Sequence, residues 1–202
     1  MRRGARRLGV LTAAALAGTV PDTSAAAAAT ATQPADYERL LELLAERREG
    51  RVSFTETQYL AILDRPLQSS GELRYAAPDR LEKRTLKPRA ETLVLEHGVL
   101  TAHRGHRTYV MALRDYPQVA PFIESIRATL AGDRAALERL FRVEFTGDLA
   151  HWTLLLTPAD ATLAAVVKDI RIEGERDAIR TVEIRQRDGD RSLLSIGPEI
   201  GP

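Results

Sequence analysis

The chain contains 202 residues, of which 29 are Lys or Arg, 28 are Asp or Glu and none is Cys. The lack of cysteine excludes a disulfide framework, a thiolate metal site and a lipidated N-terminal cysteine. A net charge of +1 and an aromatic content of 5% argue against nucleic-acid binding, which needs a basic surface and stacking side chains.

Residues 1–29 have the composition of a secretory signal peptide. Four arginines precede an apolar stretch from Leu8 to Val20 that is too short to span a bilayer, and small residues follow at 24–29. Cleavage would remove four arginines and one aspartate, so the net charge of +1 becomes about −2. We expect export to the periplasm by the Sec or the twin-arginine route, with a flexible leader over 30–35 and a single domain over 36–202.

An amphipathic helix is predicted at the start of that domain, over 36–49. Its leucines recur at helical spacing, Asp36 stands where a capping residue belongs, and Gly50 follows the last turn. The period then changes to two, which predicts a long strand over 51–63. The apolar face of this strand is formed by Val52, Phe54, Leu60 and Ile62.

Short apolar runs separated by turn residues come next in the chain. They predict strands over 71–76, 80–87, 91–96, 99–103 and 107–113. The connections between these runs are too short to hold crossover helices. Neighbouring strands must therefore run antiparallel, as a meander.

A helical insertion over 117–141 is predicted to interrupt the sheet. Its first apolar stripe begins at Pro121 and ends at Gly132, and Asp133 is placed to cap a second, shorter helix. Strands resume over 143–146, 151–157, 166–173, 178–185 and 192–196, with a helical turn as an alternative for 159–165. The predicted fold class is α+β and mainly antiparallel β: a curved, half-open β-barrel with helices covering its concave face.

A curved sheet whose mouth is covered by helices leaves an apolar cavity, and such cavities hold acyl chains. We predict its wall from alternate strand positions and from the apolar stripe of the first inserted helix. The predicted lipid-binding residues are Leu73, Tyr75, Leu93, Leu95, Tyr109, Met111, Phe122, Ile126 and Leu130. The same alternation is also typical of an ordinary filled core, so both interpretations stay open here.

No enzyme signature is present in the sequence, which lacks a G-x-S-x-G elbow, an H-E-x-x-H helix, an S-x-x-K pair and a phosphate-binding glycine loop. The nearest approach to a metal site is His97, His103 and His106, which exposed turn positions explain better. We therefore predict a protein that is not an enzyme and that has no catalytic residues, no metal and no cofactor.

A basic stretch accompanies the strand predicted over 80–87. It consists of Arg80, Lys83, Arg84, Lys87 and Arg89. One interpretation is a solvated strand face that protects a sheet edge. The other is a rim that meets anionic lipid headgroups.

Residues 52–100 resemble the LolA-like family of periplasmic lipoprotein carriers. The matching segments, in the family's order and spacing, are Ser53-Phe54-Thr55-Glu56-Thr57-Gln58, Ser70-Gly71-Glu72-Leu73, Ala77-Pro78-Asp79-Arg80-Leu81 and 93–100. The resemblance implies an open β-barrel closed by a helical lid. It also implies that the protein binds the acyl chains of a lipoprotein or another lipid and passes them from an inner-membrane exporter to an outer-membrane acceptor. We expect a monomer.

Two positions depart from the family pattern. Ala77 stands where typical members have the arginine that latches the lid, and Lys83 stands where they have a tryptophan. These departures indicate a divergent branch with a different latch and a different cargo. The alternative function is an envelope-stress sensing or assembly module that uses the same half-barrel.

Overall fold

The computed structural model describes residues 34–116 and 120–201. The predicted signal peptide and most of the predicted leader lie outside the described residues, as do residues 117–119 of the predicted helical insertion. The described residues form four α-helices and one antiparallel sheet of eleven strands. The predicted α+β fold class, with antiparallel β structure dominant, is therefore confirmed.

The bounds of the elements agree closely with the sequence pattern in the middle of the chain. The helices are α1 Pro34–Glu46, α2 Ala120–Leu130, α3 Arg134–Leu140 and α4 Ala161–Val166, with a short 3₁₀ helix at Leu113–Asp115. The strands are β1 Glu49–Tyr59, β2 Leu67–Ala76, β3 Arg80–Lys87, β4 Glu91–Glu96, β5 Val99–Arg104, β6 Arg107–Ala112, β7 Phe141–Gly147, β8 Trp152–Pro158, β9 Val167–Glu175, β10 Ala178–Gln186 and β11 Arg191–Glu199.

The strand order of the sheet is β6-β5-β4-β3-β2-β1-β11-β10-β9-β8-β7. The sheet is open, because the edge strands β6 and β7 do not pair with each other. Two meanders are joined at the centre, where β1 pairs with both β2 and β11. The chain must travel from the β6 edge to the β7 edge, and α2 and α3 make that passage. Helices consequently cover the concave face, as predicted.

The main core fills the half of the concave face formed by β7 to β10. Side chains from all four α-helices pack there against the inward residues of the strands. The largest fully buried apolar side chains are Leu40, Leu44, Leu137, Phe141, Phe145, Trp152, Leu154, Leu156, Val167, Ile170 and Ile172. The other half of the sheet is much less filled, since only Leu95 and Ala102 are buried hydrophobic residues in β3 to β6.

The structure corrects the predicted bounds at the beginning of the domain. Helix α1 ends at Glu46 and not at 49, because β1 already pairs with β2 from Glu49 onward. Asp36 lies in the first turn of the helix, where a negative charge favours the helix dipole.

The first strand also ends earlier than predicted, at Tyr59. The backbone N–H of Ala61 donates to Asp190 Oδ1 at 2.8 Å, and Leu63 N–H donates to Leu60 O. These bonds turn the chain away from the sheet. Ile62 was predicted to share the apolar face of the strand, but it lies in this turn and is 89% exposed.

The predicted break between α2 and α3 is confirmed. Gly132 has a φ of +62° and follows α2, and Asp133 N–H donates to Ala128 O at 2.8 Å, as in a Schellman motif. Asp133 Oδ1 then accepts from Ala136 N–H at 3.0 Å and caps α3. The alternative of a helical turn at 159–165 is also correct, because Asp160 caps α4.

Candidate functional site

An apolar cavity of about 280 Å³ lies between α2 and the concave face of the sheet. Most of its wall area is apolar. The strands β1 to β5 contribute Val52, Leu73, Tyr75, Leu81, Leu93, Leu95 and Leu100, α2 contributes Ile123, Ile126 and Leu130, and β10 and β11 contribute Ile179, Val182, Ile184, Leu194 and Ile196.

The strand register explains why these positions meet. Directly paired residues of antiparallel strands point to the same face of a sheet. One row across the strands β2 to β6 consists of Leu73, Lys83, Leu93, Ala102 and Tyr109, and the next of Tyr75, Leu81, Leu95, Leu100 and Met111. Both rows therefore face the cavity side.

Charged side chains interrupt the apolar wall, and two ion pairs lie among them. Lys83 Nζ donates to Glu56 Oε2 at 2.5 Å, and both residues line the cavity. Glu56 also accepts from Ser192 Oγ at 3.0 Å and from Ser69 Oγ at 3.2 Å. The Lys83 ammonium lies 5.1 Å from the centre of the Phe54 ring, within the range of a cation–π contact.

The surroundings of Glu56 stabilise its carboxylate form. Burial by itself would raise the pKa of Glu56. The Lys83 ammonium and the hydrogen bonds from Lys83, Ser192 and Gln58 together outweigh burial and hold the pKa below its ordinary value. The cavity therefore contains a charged pair at neutral pH.

A second ion pair closes one end of the cavity wall. Arg47 follows α1, and its Nη2 donates to Asp177 Oδ2 at 3.0 Å in the turn between β9 and β10. This hydrogen bond lowers the pKa of Asp177. The contact joins α1 to the turn between β9 and β10.

Helix α2 is held to its surroundings unevenly. Its Arg127 bonds to Glu124 and to Asp133, and the helix packs against α1 and α3. Across residues 34–116 and 120–201, no side-chain hydrogen bond or ion pair joins α2 to the strands on the far side of the cavity. Only the apolar side chains Ile123, Ile126 and Leu130 face the cavity from this helix.

The sequence matches the family described as "Outer membrane lipoprotein carrier protein LolA-like" over residues 25–197. This match covers most of the chain. The protein belongs to the LolA-like family. No curated protein matches the sequence.

Several solved structures are similar to this LolA-like chain. A LolA superfamily protein from Nitrosomonas europaea is 13% identical, with 81% of this chain and 92% of that chain covered and a TM-score of 0.42. A DUF1329 family protein from Desulfovibrio piger is 7% identical, with 81% and 90% covered and a TM-score of 0.44. A chain of the MucA/MucB complex from Pseudomonas aeruginosa is 16% identical, with 82% and 59% covered and a TM-score of 0.44.

The structure brings six of the nine predicted lipid-binding residues to the cavity of this LolA-like protein. They are Leu73, Tyr75, Leu93, Leu95, Ile126 and Leu130. Tyr109 and Met111 share the concave face but lie on edge strand β6, beyond the cavity wall, and Tyr109 is 43% exposed. Phe122 packs against the main core and is not part of the cavity wall, whereas Ile126 and Leu130 contact both. The lipid-binding role of all nine residues stays a prediction.

The predicted lipid-binding residues did not include several residues of the cavity wall, although the alternation along the strands indicates the position of some of them. Glu56 lies in phase with Val52 and Phe54 on β1, so the alternation already places its carboxylate on the apolar face. Lys83 is in phase with Leu81 on β3 in the same way. The wall from β10 and β11 has no local signal, because it depends on the pairing of the first strand with the last.

The three histidines of the segment 97–106 occupy turn and strand-end positions. His97 has a φ of +51° and Gly98 a φ of +71°, which is the geometry of a two-residue type I′ hairpin turn. His103 Nδ1 lies 3.1 Å from Thr108 Oγ1. Among the described residues, no group of three or more metal-ligating side chains comes together.

No helix in the described part of this LolA-like chain is long and apolar enough to cross a membrane.

Proposed function

We propose that the protein is a periplasmic carrier that holds an acyl chain of a lipoprotein or another lipid and transfers it between membranes. The donor would be an inner-membrane exporter and the acceptor an outer-membrane protein. The observation that carries the proposal is the apolar cavity between the sheet and α2. Membership of the LolA-like family supports it, and the predicted signal peptide supports a periplasmic location.

The volume of the cavity favours one acyl chain over several. Ligand cavities commonly measure about 300–1,000 Å³, and this one measures about 280 Å³. Burying about ten methylene groups would contribute roughly 8 kcal/mol. Association costs about 4 kcal/mol or more, so we expect moderate affinity, as a carrier that must release its cargo requires.

The attachment of α2 suits a movable cover. The helix is anchored by Arg127 on the side of α3, whereas its cavity side rests on apolar contacts alone. An acyl chain that enters the cavity can replace those contacts with equivalent ones. Opening therefore breaks no hydrogen bond between α2 and the strands, and this is consistent with the absence of the family's arginine at Ala77.

A binding experiment with two matched variants tests the proposal. The protein is purified from a periplasmic extract, and bound lipid is identified by native mass spectrometry and by extraction. A panel of fluorescent single-chain lipids then measures affinity. Ile126→Glu puts a charge into the cavity wall and should weaken binding at least about tenfold. Ile62→Glu makes the same change in an exposed turn and should leave binding unchanged.

Circular dichroism shows whether both variants fold. A wild-type protein that carries no lipid and takes up none of the probes would overturn the carrier assignment. The alternative, a sensing or assembly module built on the same half-barrel, would then be favoured. Equal loss of binding in both variants would show that the cavity beneath α2 is not the binding site.

A further inference from the structure

The ion pair of Glu56 and Lys83 in a mostly apolar cavity wall requires an explanation. The other charged side chains that line the cavity, Arg47, Arg74, Glu82 and Asp177, are two positive and two negative, so they add no net charge. Moving an ion pair out of water costs free energy that the attraction between the charges often does not recover. Glu56 and Lys83 nevertheless face the cavity, with side chains that are 11% and 27% exposed. Two apolar residues at these positions would avoid this cost, so the pair is a candidate for ligand recognition.

The Glu56 carboxylate has little capacity left for a ligand. Its Oε2 accepts from Lys83 and Ser69, and its Oε1 accepts from Ser192. A carboxylate offers about four acceptor sites and no donor. It would therefore repel an anion placed beside it and offer nothing to a neutral acceptor.

The Lys83 ammonium, in contrast, has donors left over. It carries three N–H groups, and in the described part of the chain its hydrogen-bond partner is Glu56 while its other polar contact is the face of the Phe54 ring. The remaining N–H groups belong to a side chain that lines the cavity. An acceptor oxygen on a bound acyl chain would satisfy one of them.

The charge of the pair decides which acceptor oxygen fits. Glu56 and Lys83 together are neutral, so a neutral carbonyl can accept from Lys83 without leaving a charge unbalanced. A free fatty acid would bring a second carboxylate next to Glu56 in a medium of low dielectric constant, where like charges repel strongly. The same argument disfavours a phosphate group at this point.

We propose, resting on the carrier function above, that the cavity selects acyl chains bound through a neutral ester or amide linkage over free fatty acids, with Lys83 donating to the linkage carbonyl. The cargo would accordingly be an esterified or amide-linked lipid. Lys83, which stands in the place of the family's tryptophan, becomes a specificity-determining residue of this branch.

Affinities for three probes of one chain length test this selection. Monododecanoylglycerol supplies the ester, dodecanamide the amide and dodecanoate the free acid, each titrated into the wild-type protein near pH 7.5 by calorimetry. We expect the ester and the amide to bind at least about tenfold more tightly than the acid, because only the acid brings a second negative charge next to Glu56.

Two variants separate the roles of the charges. Lys83→Met removes the donor at similar length and should weaken ester and amide binding about tenfold. Glu56→Gln leaves Lys83 unbalanced and should shift the preference toward dodecanoate. Glu72→Gln is the control, because it removes a carboxylate that pairs with Arg51 on the opposite face of the sheet, and it should change none of the affinities.

The outcomes distinguish this inference from the carrier proposal. If the wild type binds dodecanoate as tightly as the ester, or more tightly, the selection is wrong although the carrier function stands. If it binds no probe, the carrier proposal itself fails. Should Glu56→Gln not fold, the wild-type preference and the effect of Lys83→Met still decide the question.

Discussion

Glu56 contributes to the stability of the fold and also to the proposed recognition of the ligand. Its carboxylate lies on the apolar face of β1, and four side chains donate hydrogen bonds to it: Lys83, Ser69, Ser192 and Gln58. The Glu56 pKa lies below the ordinary value of 4.5. A group with a lowered pKa in the folded state stabilises the protein above its unfolded pKa, and this stability is lost as the pH falls through the folded pKa.

The pH dependence of unfolding tests this role of Glu56. At neutral pH, Glu56→Gln should lower the free energy of unfolding by about 2 kcal/mol, because a charged hydrogen-bond network is lost. The difference from the wild type should shrink as the pH falls from about 4.5 through the lowered pKa of folded Glu56, since the unfolded carboxyl takes up its proton first and the folded carboxylate only at lower pH. Urea titrations at several pH values, followed by the fluorescence of the buried Trp152, measure it.

A matched change on the surface is the control. Glu42→Gln removes a carboxylate whose partner, Arg39, lies on the same helix, and both side chains are more than half exposed. Exposed pairs of this kind contribute little, so the variant should unfold like the wild type at every pH. A pH-independent effect of Glu56→Gln would contradict the assigned role of the carboxylate.

The alternation of side chains predicted the cavity wall on β2 and β4 well, because period-two patterning is a local property of a strand. It could not show that Lys83 and Glu56 meet, since their strands are joined only through β2. It also could not separate Phe122 from Ile126. Both lie on the apolar side of α2 and pack against the main core, and which of them also reaches the cavity depends on how the helix packs against α1 and α3.

At the scale of elements, the junction between α2 and α3 positions the cover of the cavity. Gly132 ends one helix and Asp133 begins the next, and the same aspartate lies 3.4 Å from Arg127 Nη2. The local sequence predicted both helices because caps and stripes are encoded within a few residues.

Two substitutions of Asp133 distinguish its role as the cap of α3 from its ion pair with Arg127. Asp133→Ala should lower the free energy of unfolding by about 1 kcal/mol, since it removes the cap of α3. Asp133→Asn keeps a capping oxygen and loses the charge, so it should retain most of the stability. Thermal or urea unfolding distinguishes them, and an equal loss in both variants would assign the effect to the contact with Arg127.

On the scale of the whole molecule, the two halves of the sheet differ in how they are filled. The strands β8 and β9 alternate buried and less buried residues beneath helices, whereas β3 and β6 contain no buried residue. Local stability follows the density of buried contacts. We therefore expect the half with the cavity to be the less stable half.

Amide hydrogen exchange measures this difference directly. In the lipid-free protein, amides of β8 and β9 should exchange at least about a hundredfold more slowly than those of β4 and β5. A saturating acyl ligand should slow exchange in β3 to β5 and in α2 but leave β8 and β9 unchanged, because binding stabilises only the folded cavity. Uniform exchange across the sheet, with or without ligand, would contradict it.

Periodicity and capping within a few residues were sufficient to predict the strands, the turns, the helical insertion and most of the apolar faces, although the end of β1 and the position of Ile62 were predicted wrongly. The position of β1 between β2 and β11, and the filling of one half of the concave face by helices, became visible only in the folded chain. A local pattern shows which side of an element avoids water. The volume left empty, and the charges that meet across it, depend on elements far apart in the chain.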